Sequence, residues 1–129
     1  MTGGVPEALT VFLGAGLGGA CRYGVGLAAA RLLGTGFPFG TLLVNVAGCF
    51  AMGLAAAWAS RGGLPEPGRL FLATGVLGGF TTFSAFSLDA ALLWDGGRAG
   101  TAVLYAGSSV VLSFAALARG LALARAAGA

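Results

Sequence analysis

The sequence contains no histidine and no lysine, and only 9% of its 129 residues are charged. Soluble domains usually carry about 25% charged residues. Without histidine, the two cysteines, Cys21 and Cys49, make neither a zinc site nor a disulfide framework, and we expect them to pack as small hydrophobic side chains. No metal-ligand cluster, ATP-binding loop or acid–base pair is visible, so we do not expect an enzyme.

Acidic residues are scarce as well, and the net charge of +3 comes from single arginines spread along the chain. Clustered basic residues would indicate nucleic acid as a partner, whereas single arginines near helix ends are typical of contacts with lipid headgroups. The sequence therefore predicts no nucleic-acid binding and favours a lipid bilayer as the surroundings.

Long apolar runs are abundant, since 57% of the residues are hydrophobic. Each run approaches the roughly 20 residues that a spanning helix needs. We predict an all-α integral membrane protein, a single domain over 1–129 whose four helices leave no room for a soluble domain. The first run carries Glu7 and lacks a basic start, so we interpret it as a retained helix rather than a signal peptide. The predicted helices are at about 7–33, 40–59, 69–94 and 99–118.

One uncharged run holds an unusual stretch at 78–86, which reads Gly-Gly-Phe-Thr-Thr-Phe-Ser-Ala-Phe. Two adjacent glycines followed by three hydroxyl residues are not needed in a helix that only faces lipid. Irregular backbone at membrane depth is tolerated only where protein or a watery cavity surrounds it. We therefore predict that helix 3 is broken in mid-membrane, opening between Gly78 and Thr81 and resuming at Phe83.

Isolated polar side chains mark the other helices. Arg22 lies well inside helix 1, where a charge is costly and indicates a functional site unless it reaches the interface. Asn45 in helix 2 donates either to another helix or to a pore. The side chains of Tyr105, Ser109 and Ser113 recur every fourth residue, so their hydroxyls share one face of helix 4.

Small residues and charges bear on assembly. Gly14 and Gly18 form a small-xxx-small pair that lets another helix approach closely. Four arginines fall on one side of the predicted helices and two on the other, so the positive-inside rule barely selects an orientation. Insertion in both orientations, and hence an antiparallel dimer, is compatible with the sequence. The first group is Arg61, Arg69, Arg119 and Arg125, and the second is Arg31 and Arg98.

Three motifs resemble the small bacterial fluoride channels of the CrcB/Fluc type. They are Gly-Gly-Ala-Cys-Arg-Tyr at 18–23, Gly-Thr-Leu-Leu-Val-Asn-Val-Ala-Gly-Cys-Phe at 40–50, and Gly-Gly-Phe-Thr-Thr-Phe-Ser-Ala-Phe-Ser at 78–87. The resemblance implies a passive, fluoride-selective channel that exports cytoplasmic fluoride down its electrochemical gradient. It also implies an antiparallel, dual-topology homodimer in the bacterial cytoplasmic membrane.

The resemblance further implies roles for individual residues. A structural sodium ion would be held at the dimer centre by the backbone carbonyls of Gly78 and Thr81 from both subunits. Arg22 would lie near a vestibule, and the family's usual threonine is replaced here by Ala85. The fluoride pathway would be lined by Asn45, Phe83, Phe86, Tyr105, Ser109 and Ser113.

Physical chemistry agrees with these roles. Fluoride is tightly hydrated, so a selective pore must replace its water with amide and hydroxyl donors. Phenylalanine presents a positive ring edge, which attracts an anion without the trap that a full charge would make. One alternative is a non-transporting assembly subunit of a larger complex, which would explain the small-residue packing but not the donors in register. The other is a small proton-coupled multidrug antiporter, which needs a carboxylate deep in the membrane. Glu7 lies at the edge of helix 1 and Asp89 late in helix 3, so neither fits that role.

Overall fold

The computed structural model describes residues 4–128, and these form helices with no strand among them. Four spans are long and apolar enough to cross a membrane, which confirms the all-α class and the number of predicted spans. Three of them are α1 (Val5–Leu33), α2 (Phe39–Ser60) and α6 (Ala99–Ala126). The third span, Glu66–Asp95, consists of α3 (Glu66–Arg69), a π-helical segment (Leu70–Leu77), α4 (Gly78–Phe80) and α5 (Phe83–Asp95).

The predicted end of the last helix at residue 118 is wrong, because α6 continues to Ala126. The arginine at 119 ends an apolar run, but a charged side chain does not end a helix. Gly120 keeps α6 in contact with α2, since a Cβ on Gly120 would lie only 2.2 Å from the carbonyl oxygen of Phe50. Packing between α2 and α6 therefore extends beyond the apolar run.

The small-residue pair of α1 lies, as predicted, where another helix approaches closely, and that helix belongs to the third span. Gly14 and Gly18 are both buried. A Cβ on Gly18 would lie 2.0 Å from the carbonyl oxygen of Val76, and one on Gly14 would lie 2.4 Å from that of Phe71. Such contacts between backbones require glycine, so these two residues fix how closely α1 approaches the third span.

The π-helical segment Leu70–Leu77 was not predicted. Most π-turns are single-turn bulges inside α-helices, frequently at functional sites. Within the segment, Gly75 is buried, and its added Cβ would lie 3.0 Å from the Cα of Gly14. The wider turn therefore lies where α1 packs directly against the third span.

The third span is interrupted at Thr81 and Thr82, which have extended backbone angles of φ −87°, ψ 159° and φ −154°, ψ 127°. The double glycine itself is helical, contrary to the expectation that the helix opens at Gly78, whose angles are φ −63°, ψ −39°. Glycine permits irregular backbone but does not impose it, and here Gly79 serves close packing. A Cβ on Gly79 would lie 2.4 Å from the carbonyl oxygen of Ala15.

Candidate functional site

Asn45 of α2 is hydrogen-bonded to both backbone groups of Thr82. Its Nδ2 donates to the Thr82 carbonyl oxygen at 2.9 Å, and the Thr82 N–H donates to Oδ1 at 2.8 Å. The side-chain amide thus satisfies both the N–H and the C=O of this extended residue, as the backbone of a neighbouring β-strand would. Of the two roles left open for Asn45, bonding between helices is observed, and one N–H of its amide group is still left for another acceptor.

This arrangement removes the regular helical donors from two carbonyls. In a continuous helix the Thr82 N–H would donate to the Gly78 carbonyl, but it donates to Asn45 instead. The Ala85 N–H would donate to the Thr81 carbonyl, but it donates to Thr82 Oγ1 at 3.1 Å. Both carbonyls expected to hold a cation have therefore lost their regular donors, as has the carbonyl of Gly79 near the end of α4.

A cavity of about 230 Å³ lies beside the interruption. Its wall combines α2, α5 and α6 with the interruption, and it carries amide, hydroxyl, thiol and apolar groups. Cys49 is on this wall rather than packed as a small hydrophobic side chain in the core. Five of the six expected pathway residues lie here: Asn45, Phe83, Phe86, Ser109 and Ser113.

The two serines of α6 on this wall are buried, with exposures of 5% for Ser109 and 8% for Ser113. Ser109 Oγ has no hydrogen-bond partner within residues 4–128. The neighbouring Ser108 instead donates to the Tyr105 carbonyl at 3.2 Å. A buried hydroxyl without a partner costs about 1–3 kcal/mol, so Ser109 marks a place where a further acceptor would be favourable.

The aromatic rings form a short ladder. The Phe83 and Phe86 centroids are 5.6 Å apart with their planes inclined by 58°, and those of Phe86 and Tyr105 are 5.3 Å apart. Phe83 is 77% exposed, so most of its ring has no contact within this chain. A large aromatic ring at the rim of a cavity is open to an ion, to lipid or to a second subunit.

Tyr105 is fully buried and does not line the cavity. Its hydroxyl donates to Asp89 Oδ2 at 3.0 Å, so the track of hydroxyls along α6 is divided between two environments. Sequence reasoning missed this pair, although a signal was available. Phe86 and Asp89 are three residues apart and share one helical face. An aromatic side chain that packs against Phe86 can therefore also reach the carboxylate of Asp89.

Arg22 lies on the other side of the interruption, beside a second cavity of about 450 Å³. Its Nε donates to the Gly79 carbonyl oxygen at 3.1 Å. Thr41, Thr82 and Ala85 line the same cavity. The hydroxyl that is missing at Ala85 therefore concerns the Arg22 cavity and not the wall formed by the phenylalanines.

Comparison with known proteins decides the family. The model described as "CrcB-like protein, Camphor Resistance (CrcB)" matches residues 9–121. The chain belongs to the CrcB family. This confirms the resemblance that the three motifs indicated.

The chain is also similar to individual CrcB-family relatives named as fluoride-specific ion channels. It is 57% identical over 118 residues to FluC 2 of Nitrobacter hamburgensis, covering 91% of this chain and 95% of that one. It is 57% identical over 118 residues to FluC of Methylobacterium nodulans, covering 91% and 94%. It is 54% identical over 119 residues to FluC of Rhodopseudomonas palustris, covering 92% and 96%.

The helix ends at the interruption have opposite electrostatic character in this CrcB-family chain. The carbonyl end of α4 carries partial negative charge, whereas the first turn of α5 presents N–H groups and partial positive charge. A carbonyl end suits a cation, and an N-terminal end suits an anion. Residues 4–128 contain no cluster of three or more histidine, cysteine or acidic side chains that could hold a metal ion.

Proposed function

We propose that this CrcB-family protein is a fluoride-selective channel through which cytoplasmic fluoride leaves the cell passively. The observation that carries the proposal is the 230 Å³ cavity, which collects five of the six expected pathway residues from three spans. Relatives at 54–57% identity that cover nearly the whole chain are named fluoride-specific ion channels. The protein is a multi-pass protein of the bacterial cytoplasmic membrane.

The cavity wall has the chemistry that a dehydrated fluoride ion requires. The remaining N–H of Asn45 and the hydroxyls of Ser109 and Ser113 can replace water as donors. No charged side chain lies on this wall within residues 4–128, so an entering anion meets no fixed charge that would trap it. Ring edges of Phe83 and Phe86 supply weaker attraction along the same wall.

Tyr105 is buried beside Phe86 and supports the cavity wall without lining the cavity. Its hydroxyl is engaged with Asp89, and its ring packs against that of Phe86. Both contacts restrain the orientation of the Phe86 ring, and the direction of the ring edge decides whether an anion is attracted or repelled. We therefore assign Tyr105 a supporting position in the fluoride pathway.

We also propose that the interruption of the third span lies in mid-membrane and holds a structural sodium ion. The carbonyls of Gly78 and Thr81 fit this ion, because their regular helical donors are diverted and hard cations prefer oxygen ligands. Gly78 is exposed on the surface of the chain, where a second subunit can approach. The ion would then join two copies through the same carbonyls of each.

The two copies are proposed to be antiparallel, because the arginines barely favour one orientation of the four spans. A single cysteine placed at 127, in a variant without Cys21 and Cys49, is expected to react from both sides of the cell membrane with an impermeant maleimide. Labelling in intact cells but not in inverted vesicles, or in inverted vesicles but not in intact cells, would contradict the dual topology.

Fluoride release from liposomes tests the function. With valinomycin and potassium to balance charge, purified protein is expected to release fluoride when no proton gradient is present. An inside-negative potential drives an anion outward by about 2.3 kcal/mol per 100 mV, so a passive route is sufficient for export. Release that depends on a proton gradient would contradict the channel and favour the antiporter, an alternative that no relative reported above supports.

A further inference from the structure

Arg22 contacts the interruption through its Nε, the nitrogen nearest the backbone. This Nε–H donates to the carbonyl of Gly79 at 3.1 Å, across 57 positions of sequence. Gly79 belongs to the last helical residues before the interruption, where carbonyls lack the donors of a following turn. The bond therefore satisfies an acceptor that the interruption itself leaves without its regular partner.

The interruption is thus held from two different helices. Asn45 of α2 binds both backbone groups of Thr82, and Arg22 of α1 binds the carbonyl of Gly79. The bound carbonyls, at 79 and 82, alternate with the carbonyls whose helical donors are diverted, at 78 and 81. A shift of either bond would change which oxygens are free for a cation and how the Phe83 end of α5 is directed.

We propose that Arg22 is a positioning residue, whose Nε–H holds the end of α4 and thereby sets the geometry of the interruption. The proposal rests on the proposed function for its transport readout, but the structural readout is independent of it. It differs from a vestibule role, in which the positive charge of Arg22 would act on fluoride directly. Because the donor is Nε, which directly follows Cδ in the side chain, substitutions that change the atom at this position can separate the two roles.

Three substitutions separate the hydrogen bond from the charge. Glutamine places an amide N–H directly after Cδ, where arginine has Nε, but carries no charge. Lysine keeps the charge and places a methylene group at that point. Methionine has neither the N–H nor the charge and has a similar length, so Arg22→Met is the matched control for Arg22→Gln.

The experiment compares the three variants with the wild type in fluoride release from liposomes and in melting temperature during a sodium titration in detergent. We expect Arg22→Gln to stay within about threefold of the wild-type rate, and Arg22→Met to fall about tenfold, as loss of a hydrogen bond from a charged group would produce. Arg22→Lys is expected to lie below Arg22→Gln. The sodium concentration that gives half of the thermal stabilisation should rise as the rate falls: it should be lowest for the wild type and Arg22→Gln and highest for Arg22→Met.

A different order would overturn the proposal. If Arg22→Lys matches the wild type while Arg22→Gln behaves as Arg22→Met, the charge is what matters. If all three variants match the wild type in both readouts, the bond to Gly79 positions nothing. If Arg22→Met does not purify, Arg22→Gln and Arg22→Lys still decide between the roles. A wild type that passes no fluoride would contradict the proposed function, while the order of melting temperatures would still test the positioning role.

Discussion

Replacing Phe86 with isoleucine is expected to lower fluoride release from liposomes by at least about tenfold, because two ring contacts and a ring edge are lost together. Phe86 stands between Phe83 and Tyr105, with centroid separations of 5.6 and 5.3 Å. Isoleucine keeps the site apolar but has no positive edge to attract an anion. The rate is measured with a fluoride electrode after potassium release by valinomycin.

Phe83→Ile is expected to act in the same direction, and Phe12→Ile is its matched control. The two side chains are similarly exposed, at 77% and 70%, but Phe12 lies on α1 and does not line the cavity. All three variants should purify with the same apparent size as the wild type. A Phe83 or Phe86 variant with the wild-type rate would refute the role of that ring in the pathway.

Replacing Asn45 with leucine is expected to lower the melting temperature by about 10 °C, since the N–H and C=O of Thr82 would each lose a partner at about 1–3 kcal/mol. Leucine has the same branched arrangement of side-chain heavy atoms as asparagine, but it has neither the amide donor nor the acceptor. The wild type is expected to melt at a higher temperature in sodium than in choline. Asn45→Leu should lose this difference, because without the two bonds from Asn45 the interruption would no longer hold the carbonyls of Gly78 and Thr81 in position.

Two further variants bracket this result. Asn45→Asp keeps an acceptor for the Thr82 N–H but, when ionised, has no donor for the Thr82 carbonyl, so its melting temperature should lie below that of the wild type. Cys49→Ala alters the same cavity wall without removing a hydrogen bond to the interruption, and should retain the sodium difference. A wild type that melts identically in sodium and choline would contradict the sodium site.

The spans were predictable because their physical cause is local. A bilayer requires about 20 apolar residues, and backbone contact requires small residues. The runs along the sequence and the pair Gly14 and Gly18 therefore gave the spans and one helix contact. The ends of spans were less certain, since α6 continues to Ala126 through contacts with α2 that no local pattern records.

Five of the residues that line the 230 Å³ cavity could be named from the sequence, but their hydrogen bonds could not. The motifs identified Asn45 and the phenylalanines, yet the two bonds from Asn45 to Thr82 depend on where the helix stops. The helix stops between the residue Gly79, which packs closely against Ala15 of α1, and the residue Thr82, which caps α5, and the first of these contacts involves another helix. The pairing of Tyr105 with Asp89 likewise depends on the relative rotation of α5 and α6. Both are properties of tertiary structure.

The central claim is that the wall of the 230 Å³ cavity passes fluoride in preference to other halides, and a two-ion release assay tests it most directly. Liposomes loaded with potassium fluoride and potassium chloride are treated with valinomycin at equal internal and external pH. Fluoride should leave rapidly while chloride is retained, and Phe86→Ile should slow the fluoride phase. Equal release of both anions, or retention of both, would contradict the claim.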